Sequence, residues 1–219
     1  MTAIAPSVAF DILRGNRPEE LTQDIGPEIV NRAARLTLLS DLNTELTRAS
    51  GRWDQSDLAI QSVGMDVGIG VTELEPFLPA NICEGPHRSI LSAPPESFPF
   101  VTVGAHVAVP TGGPRIDQLN TYDITLMIEC YVKTGPVLEA TDLHHETVVH
   151  RRILRTIEAI NIAIRQTKNL HGTVLPFEGG ARLVIHDQSE VSGSETTSGE
   201  RYLQQGARLQ YTLQRNSAL

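Results

Sequence analysis

Two segments in the middle of the chain repeat apolar side chains with a period of two. In FVTVGAHVAV, every second residue from Val101 to Val109 is valine or alanine. In TYDITLMIECYVK, the apolar positions run from Ile124 to Val132, and residues such as Glu129 fall between them. A period of two places one set of side chains on one face of a strand. The pattern therefore predicts two strands, each with one buried face.

A first helix is predicted before these strands. Gly26-Pro27-Glu28 is typical of a helix start, because proline fits the first turn and an acid favours the positive end of the helix dipole. Apolar residues then follow at steps of three and four. Gly51 predicts the end of this helix, since glycine commonly follows the last helical residue.

A second helix is predicted over residues 142–168, with Asp142 as its N-cap. Its apolar residues form a narrow stripe on a helical wheel: Val149, Ile153, Ile157, Ile160 and Ile164. The charged residues predicted for its far side are Arg151, Arg155, Glu158 and Arg165. This pattern predicts a helix that packs one face on a core.

Two further strands are predicted after Gly172, again from a period of two. Ala181, Leu183 and Ile185 are predicted to point inward in the first of them. The inward residues of the second are predicted to be Ala207, Leu209, Tyr211 and Leu213. The polar linker 188–201 predicts an exposed loop. The fold class expected is α+β: a mainly antiparallel sheet of four or slightly more strands, helices on one face, order α-β-β-α-β-β.

The rest of the chain divides into an arm and an insertion. Residues 1–25 are predicted to form an N-terminal arm, and 26–219 a single domain. Residues 62–97 are rich in glycine and proline with little periodicity, which predicts a long irregular insertion. Met65 to Thr72 is one candidate strand within it.

Composition narrows the class of protein. The formal net charge of −8 over 219 residues argues against sequence-independent binding of nucleic acid, which needs a basic face. Cys83 and Cys130 form no CxxC pair, and no apolar run approaches the roughly 20 residues that span a bilayer. The first residues lack the pattern of a signal peptide. We expect a chain made in the cytosol, with no membrane partner.

The start of the second helix gathers His144, His145, Glu146 and His150. A zincin helix needs H-E-x-x-H, because histidines at i and i+4 share one face. Here His150 follows His145 by five residues, which turns it about 140° away. Glu146 and His150 supply only two ligands, whereas a catalytic zinc has three protein ligands. The packing helix is the favoured interpretation.

Other catalytic patterns are absent from the sequence. GMDVGIG fits neither the dinucleotide-binding nor the P-loop spacing of glycines, and no G-x-S-x-G occurs. Cys130 alternates inward on its strand and is expected to be inert. The sequence therefore predicts no catalytic residue, no metal and no cofactor.

One resemblance to a known family covers residues 28–215. The run HRSILSAPPESFPFVTVGA, the strand ending in ECYVK, the long helix and the final hairpin resemble the tail terminator (tail completion) proteins of siphophages and myophages. The resemblance implies a small α/β protomer that closes into a hexameric ring. Such a ring caps the tail tube and joins it to the neck or head connector, while DNA passes through the lumen. It implies a virion protein of the tail–neck junction, assembled in the host cytoplasm.

Two loops are the candidate contacts to other subunits or partners. Their residues are Thr111, Gly112, Gly113, Arg115, Asp117, Ser189, Glu190, Glu195, Glu200 and Arg201. Three alternatives stay open: another head–tail connector component (head completion or stopper protein), a monomeric binding domain, and a metal-dependent enzyme. The enzyme would use Glu146 and His150 with His106 or His186 as a third ligand.

Overall fold

A computed structural model describes residues 26–61, 74–85, 98–110, 121–133, 145–177, 179–192 and 201–216. The predicted arm 1–25 and the candidate strand from Met65 to Thr72 lie outside these residues. So does Asp142, the predicted N-cap.

The described part of the chain contains two α-helices and six β-strands. They are α1 (Gly26–Gln61), β1 (Ile82–Glu84), β2 (Phe100–Pro110), β3 (Thr121–Lys133), α2 (His145–Gln166), β4 (Arg182–Ile185), β5 (Ser189–Ser192) and β6 (Arg201–Asn216). Short 3₁₀ turns at Pro79–Asn81 and Leu170–Gly172 precede β1 and follow α2. The predicted α+β class is confirmed.

The strands form one mixed sheet in the order β1-β2-β3-β6-β4. β1 runs parallel to β2, and the other pairs are antiparallel. β4 pairs with residues 207–210 of β6 and β5 pairs with 201–204, so both lie on the same side of β6. The sheet is therefore five strands wide.

The predicted strand order is only partly correct. The four predicted strands are present as β2, β3, β4 and β6, and the structure adds β1 and β5, which the sequence pattern does not predict. β1 lies inside the segment predicted to be an irregular insertion, and β5 inside the segment predicted to be a loop. Each is only three or four residues long and owes its conformation to a pairing partner, so its own sequence carries little signal.

The alternating pattern of β3 and β6 describes the core correctly. Ile128 lies between Val103 of β2 and Leu209 of β6, and all three are buried. The predicted inward residues of these two strands are all buried: Ile124, Leu126, Ile128, Cys130, Val132, Ala207, Leu209, Tyr211 and Leu213. One face of the sheet therefore carries the core.

Both helices cover this same face. The predicted stripe of α2 is buried from Val149 to Ile164, and it shares one core cluster with α1 residues such as Val30, Leu38 and Leu42. Burying side chains of this size contributes roughly 1.5–3 kcal/mol each before the loss of conformational entropy is subtracted. The opposite face of the sheet, named the outer face below, carries the side chains between the core positions.

Two helix predictions are wrong, and both concern the contact between the end of α1 and the middle of α2. α1 does not end at Gly51 but continues to Gln61, and Arg155 is not on a solvent face but only 2% exposed. The extra turns of α1 bring Trp53 and Asp54 against α2. The Arg155 guanidinium lies over the Trp53 ring at 5.4 Å and 3.8 Å from the Asp54 carboxylate. These contacts stabilise the part of α1 that follows Gly51.

Candidate subunit interface

Strand β4 exposes apolar side chains at one edge of the sheet. Leu183, Val184 and Ile185 are exposed by 42%, 38% and 37%, although Leu183 and Ile185 were predicted to point into the core. That prediction is wrong about their burial. Ala181, just before the strand, is half-buried and does pack against the core. We refer to Leu183, Val184 and Ile185 as the β4 surface.

The pairing register explains why Leu183 and Ile185 lie on the helix side of the sheet and are nevertheless exposed. Leu183 pairs with Leu209 and Ile185 with Ala207, whose side chains face the helices. Leu183 and Ile185 therefore stand on the helix side of the sheet, as the alternation predicted. The helices bury the β6 side chains but leave this side of β4 open to solvent. Val184 stands on the outer face, beside Arg208.

The outer edge of β4 has some of the features that protect edge strands, since β4 is only four residues long and begins with the exposed Arg182. Natural edges are blunted by lysine, proline, bulges or very short strands. β4 contains neither lysine nor proline, and its pairing with β6 shows no register shift. At the opposite edge, β1 has only three residues, and Arg35 Nε donates to the Ile82 carbonyl at 2.8 Å. Both edge strands are therefore short, and the β1 edge is also contacted by a side chain of α1.

Hydrogen bonds beyond β4 hold this edge in place. The His186 backbone amide donates to the Gly206 carbonyl at 2.9 Å, and Nε2 of the buried Gln205 side chain donates to the His186 carbonyl at 3.1 Å. Gln188 Nε2 donates to the Glu146 carbonyl in the first turn of α2, at 3.0 Å. The chain leaving β4 is thus tied to both β6 and α2. A fixed surface loses little conformational entropy when a partner binds to it.

The structure describes three of the ten residues that were predicted to contact other subunits or partners. Thr111, Gly112, Gly113, Arg115, Asp117, Glu195 and Glu200 lie outside the described residues. Ser189 and Glu190 belong to β5 and Arg201 to β6, so these three lie in a paired hairpin and not in a free loop. The Ser189 hydroxyl accepts a hydrogen bond from Gln204 Nε2 at 2.8 Å. β5 continues along β6 beyond β4, on the same side.

The histidines of the alternative metal site lie on two sides of the sheet. His150 Nδ1 is 3.3 Å from Gln205 Oε1 on the helix side. His106 pairs with Thr125 on the outer face, and the His186 ring packs 6.1 Å from the ring of Tyr131, also on that face. Within the part of the chain that is described, no three His, Cys, Asp or Glu residues come together as metal ligands would.

The two cysteines differ in their surroundings. Cys130 is buried in β3, and burial raises the pKa of its thiol well above the ordinary range. Cys83 in β1 is half-buried, and its thiol donates to the Ala80 carbonyl at 3.4 Å. Because the thiolate is the reactive form, a raised pKa and burial both slow reaction of Cys130.

We expect one cysteine to react with a thiol reagent in the native protein. At pH 8, Cys83 should be modified within minutes and Cys130 only after unfolding in guanidinium chloride. A Cys83→Ser variant serves as the control, since it should show no fast reaction. Ellman's reagent with absorbance detection measures both phases. Two fast thiols in the native wild-type protein would contradict the burial of Cys130.

In the described ranges, no helix combines the length and apolar character needed to cross a membrane. No protein-family model matches this chain, and no curated protein matches it either.

Proposed function

We propose that this chain is a structural protein of a phage virion, a tail terminator that forms a ring on the tail tube. The β4 surface carries the proposal, because three consecutive exposed apolar residues on an edge strand are typical of a contact with another chain. The sequence resemblance described above supplies the family and the hexameric state. In this proposal the chain is neither an enzyme nor a cofactor-binding protein.

A ring needs contacts in which one surface of a subunit binds a different surface of the next. The β4 surface can supply one side of such a contact. The ring caps the tail tube, binds the tail tube protein on one side and the neck or connector on the other, and leaves a lumen for DNA. The net charge of −8 suits this lumen, since a basic wall would bind the phosphates and slow the passage of DNA.

The experiment is to add the purified chain to tail tube protein of the same virus and to image the tubes by negative stain. A terminator should close one end of each tube with a ring and stop further growth of the tube. Binding to the head connector without binding to the tube would indicate a connector component, such as a stopper, instead. A chain that binds neither and stays monomeric would overturn the proposal.

A further inference from the structure

The last turns of α1 lie beyond the part of the helix that packs in the core. The buried positions of α1 end at Ala49. From Gly51 to Ala59, the residues whose exposure the structure describes are all exposed, apart from the half-buried Asp54. A Cβ atom at Gly51 would meet nothing within 4 Å, so packing does not require a glycine there. We refer to residues 52–61 as the α1 strap.

Polar contacts with two residues of α2 hold the α1 strap in place. Trp53 Nε1 donates to the Glu158 carboxylate at 2.8 Å, and Arg52 donates to the same carboxylate at 3.1 Å. The Arg155 guanidinium lies 5.4 Å from the centre of the Trp53 ring and 3.8 Å from the Asp54 carboxylate. The side chains of Arg52, Asp54 and Glu158 are 51%, 48% and 37% exposed. Ion pairs of such exposed groups contribute little to stability.

The α1 strap has little helical stability of its own. Isolated helices shorter than about 12–15 residues are marginal in water. Glycine is also unfavourable inside a helix, and Gly51 stands at the boundary between the packed part of α1 and the strap. The strap is therefore helical mainly because it is docked on α2. Segments with few buried contacts can open locally while the rest of a domain stays folded.

We infer that the α1 strap opens separately from the rest of the domain, with Gly51 as its hinge, and that its closed state covers Arg155. Arg155 is 2% exposed in the closed state, and Trp53 and Asp54 of the strap both contact its guanidinium. Opening breaks these contacts and makes the guanidinium accessible from solution. The strap thus controls the exposure of one cation. It is a property of a single chain and does not depend on the proposed ring.

Native-state hydrogen exchange, read by mass spectrometry, tests the separate opening. The backbone amides of 52–61 should exchange at least tenfold faster than those of 30–46, which require the core to unfold. Ile128→Val weakens the core at a fully buried position of β3. It should accelerate exchange at 30–46 about fivefold and leave exchange at 52–61 unchanged, because the core stays folded when the strap opens.

Gly51→Ala is the variant of the hinge. Alanine fits at this position and favours the helix, so exchange at 52–61 should slow about fivefold. Modification of Arg155 by phenylglyoxal, followed by mass spectrometry of the peptides, should slow by a similar factor. Arg165 is exposed on the same helix and serves as the internal control, so its modification rate should not change. Equal factors in the two measurements would show that one opening exposes both the amides and Arg155.

Three results would overturn the inference. Equal protection of 52–61 and 30–46, or equal acceleration of both by Ile128→Val, would show that the strap opens only with the whole domain. Modification of Arg155 that Gly51→Ala does not slow would show that the strap does not cover the guanidinium. Faster exchange confined to the strap, slowed together with Arg155 modification by Gly51→Ala, would support the inference. None of these results changes the case for the proposed ring.

Discussion

The Gly206→Ala variant is expected to lose about 2–3 kcal/mol of unfolding free energy. Gly206 of β6 pairs with Tyr131 of β3, and the Tyr131 ring lies over the glycine on the outer face. A methyl group at position 206 would overlap Cε1 of that ring and lie 2.6 Å from Cδ1. Real Cβ contacts are not that close, so the ring must move.

Moving the Tyr131 ring would disrupt its contacts with the neighbouring aromatic rings. It stacks on Phe100 with ring centroids 5.0 Å apart, and Phe98 packs edge-on against Phe100 at 5.1 Å. All three rings are buried, and His186 lies 6.1 Å from Tyr131 on the other side. Aromatic pairs of this kind contribute about 0.5–1.5 kcal/mol beyond their buried area. Displacing Tyr131 would lose several of these contacts together.

Gly104→Ala is the matched control, because Gly104 lies on the outer face of the neighbouring strand β2. A methyl group there would meet only His106 Nε2, at 3.8 Å, which is ordinary contact. This variant should be neutral or stabilised by about 0.5 kcal/mol, since alanine has less freedom than glycine in the unfolded chain. Urea denaturation followed by circular dichroism measures both changes.

A double-mutant cycle with Tyr131→Ala identifies the cause. In the Tyr131→Ala background, Gly206→Ala should cost little, and the coupling between the two changes should be about 2 kcal/mol. Equal losses from Gly206→Ala in both backgrounds would contradict the proposed overlap with the ring. Equal effects at positions 104 and 206 would contradict it as well.

The second large effect is expected at Arg155. Arg155→Ala should lower the unfolding free energy by about 2–3 kcal/mol, because it empties a buried position and removes the cation from the Trp53 ring. The same region joins α1 to α2 through Glu158, which accepts hydrogen bonds from Trp53 Nε1 at 2.8 Å and from Arg52 at 3.1 Å. Loss of Arg155 should weaken the packing of α1 against α2.

Two further variants separate packing from charge at this position. Arg155→Met keeps most of the side-chain volume and should cost about half as much as Arg155→Ala, since apolar replacements of buried ions are often tolerated. Arg165→Ala removes an exposed arginine from the same helix and should change stability by no more than about 0.5 kcal/mol. The single tryptophan, Trp53, reports unfolding by fluorescence. Equal losses for the alanine variants at 155 and 165 would contradict the buried role of Arg155.

Local periodicity predicted the centre of the fold well. The alternation from Ile124 to Val132 identified the buried face of β3, and the stripe from Val149 to Ile164 identified the buried face of α2. Both segments are long, and each lies against the middle of the core. For such elements the side-chain pattern and the tertiary surroundings agree.

The wrong predictions share a physical origin. A periodic pattern shows which side of an element a residue occupies, but not whether another element covers that side. Leu183 and Ile185 point to the helix side and yet remain exposed, while Arg155 points away from the stripe and yet is covered by Trp53. Neither outcome can be inferred from the residues of one element alone.

The candidate contact surfaces were only partly accessible from sequence. The run RLVI of β4 contains three consecutive apolar residues, which could have indicated an exposed edge had its position in the sheet been known. The exposure of these residues depends on which other elements cover the helix side of β4, and the sequence of β4 alone does not show that. Such long-range contacts become visible only in the folded chain.

The proposed ring is tested by native mass spectrometry of the wild-type chain, alone and with tail tube protein. We expect a closed species at six times the 23.9 kDa mass of one chain, free of bound metal. Negative-stain images of the same sample should show rings. A chain that stays monomeric under both conditions, or a monomer that carries one zinc ion per chain, would contradict the proposed ring.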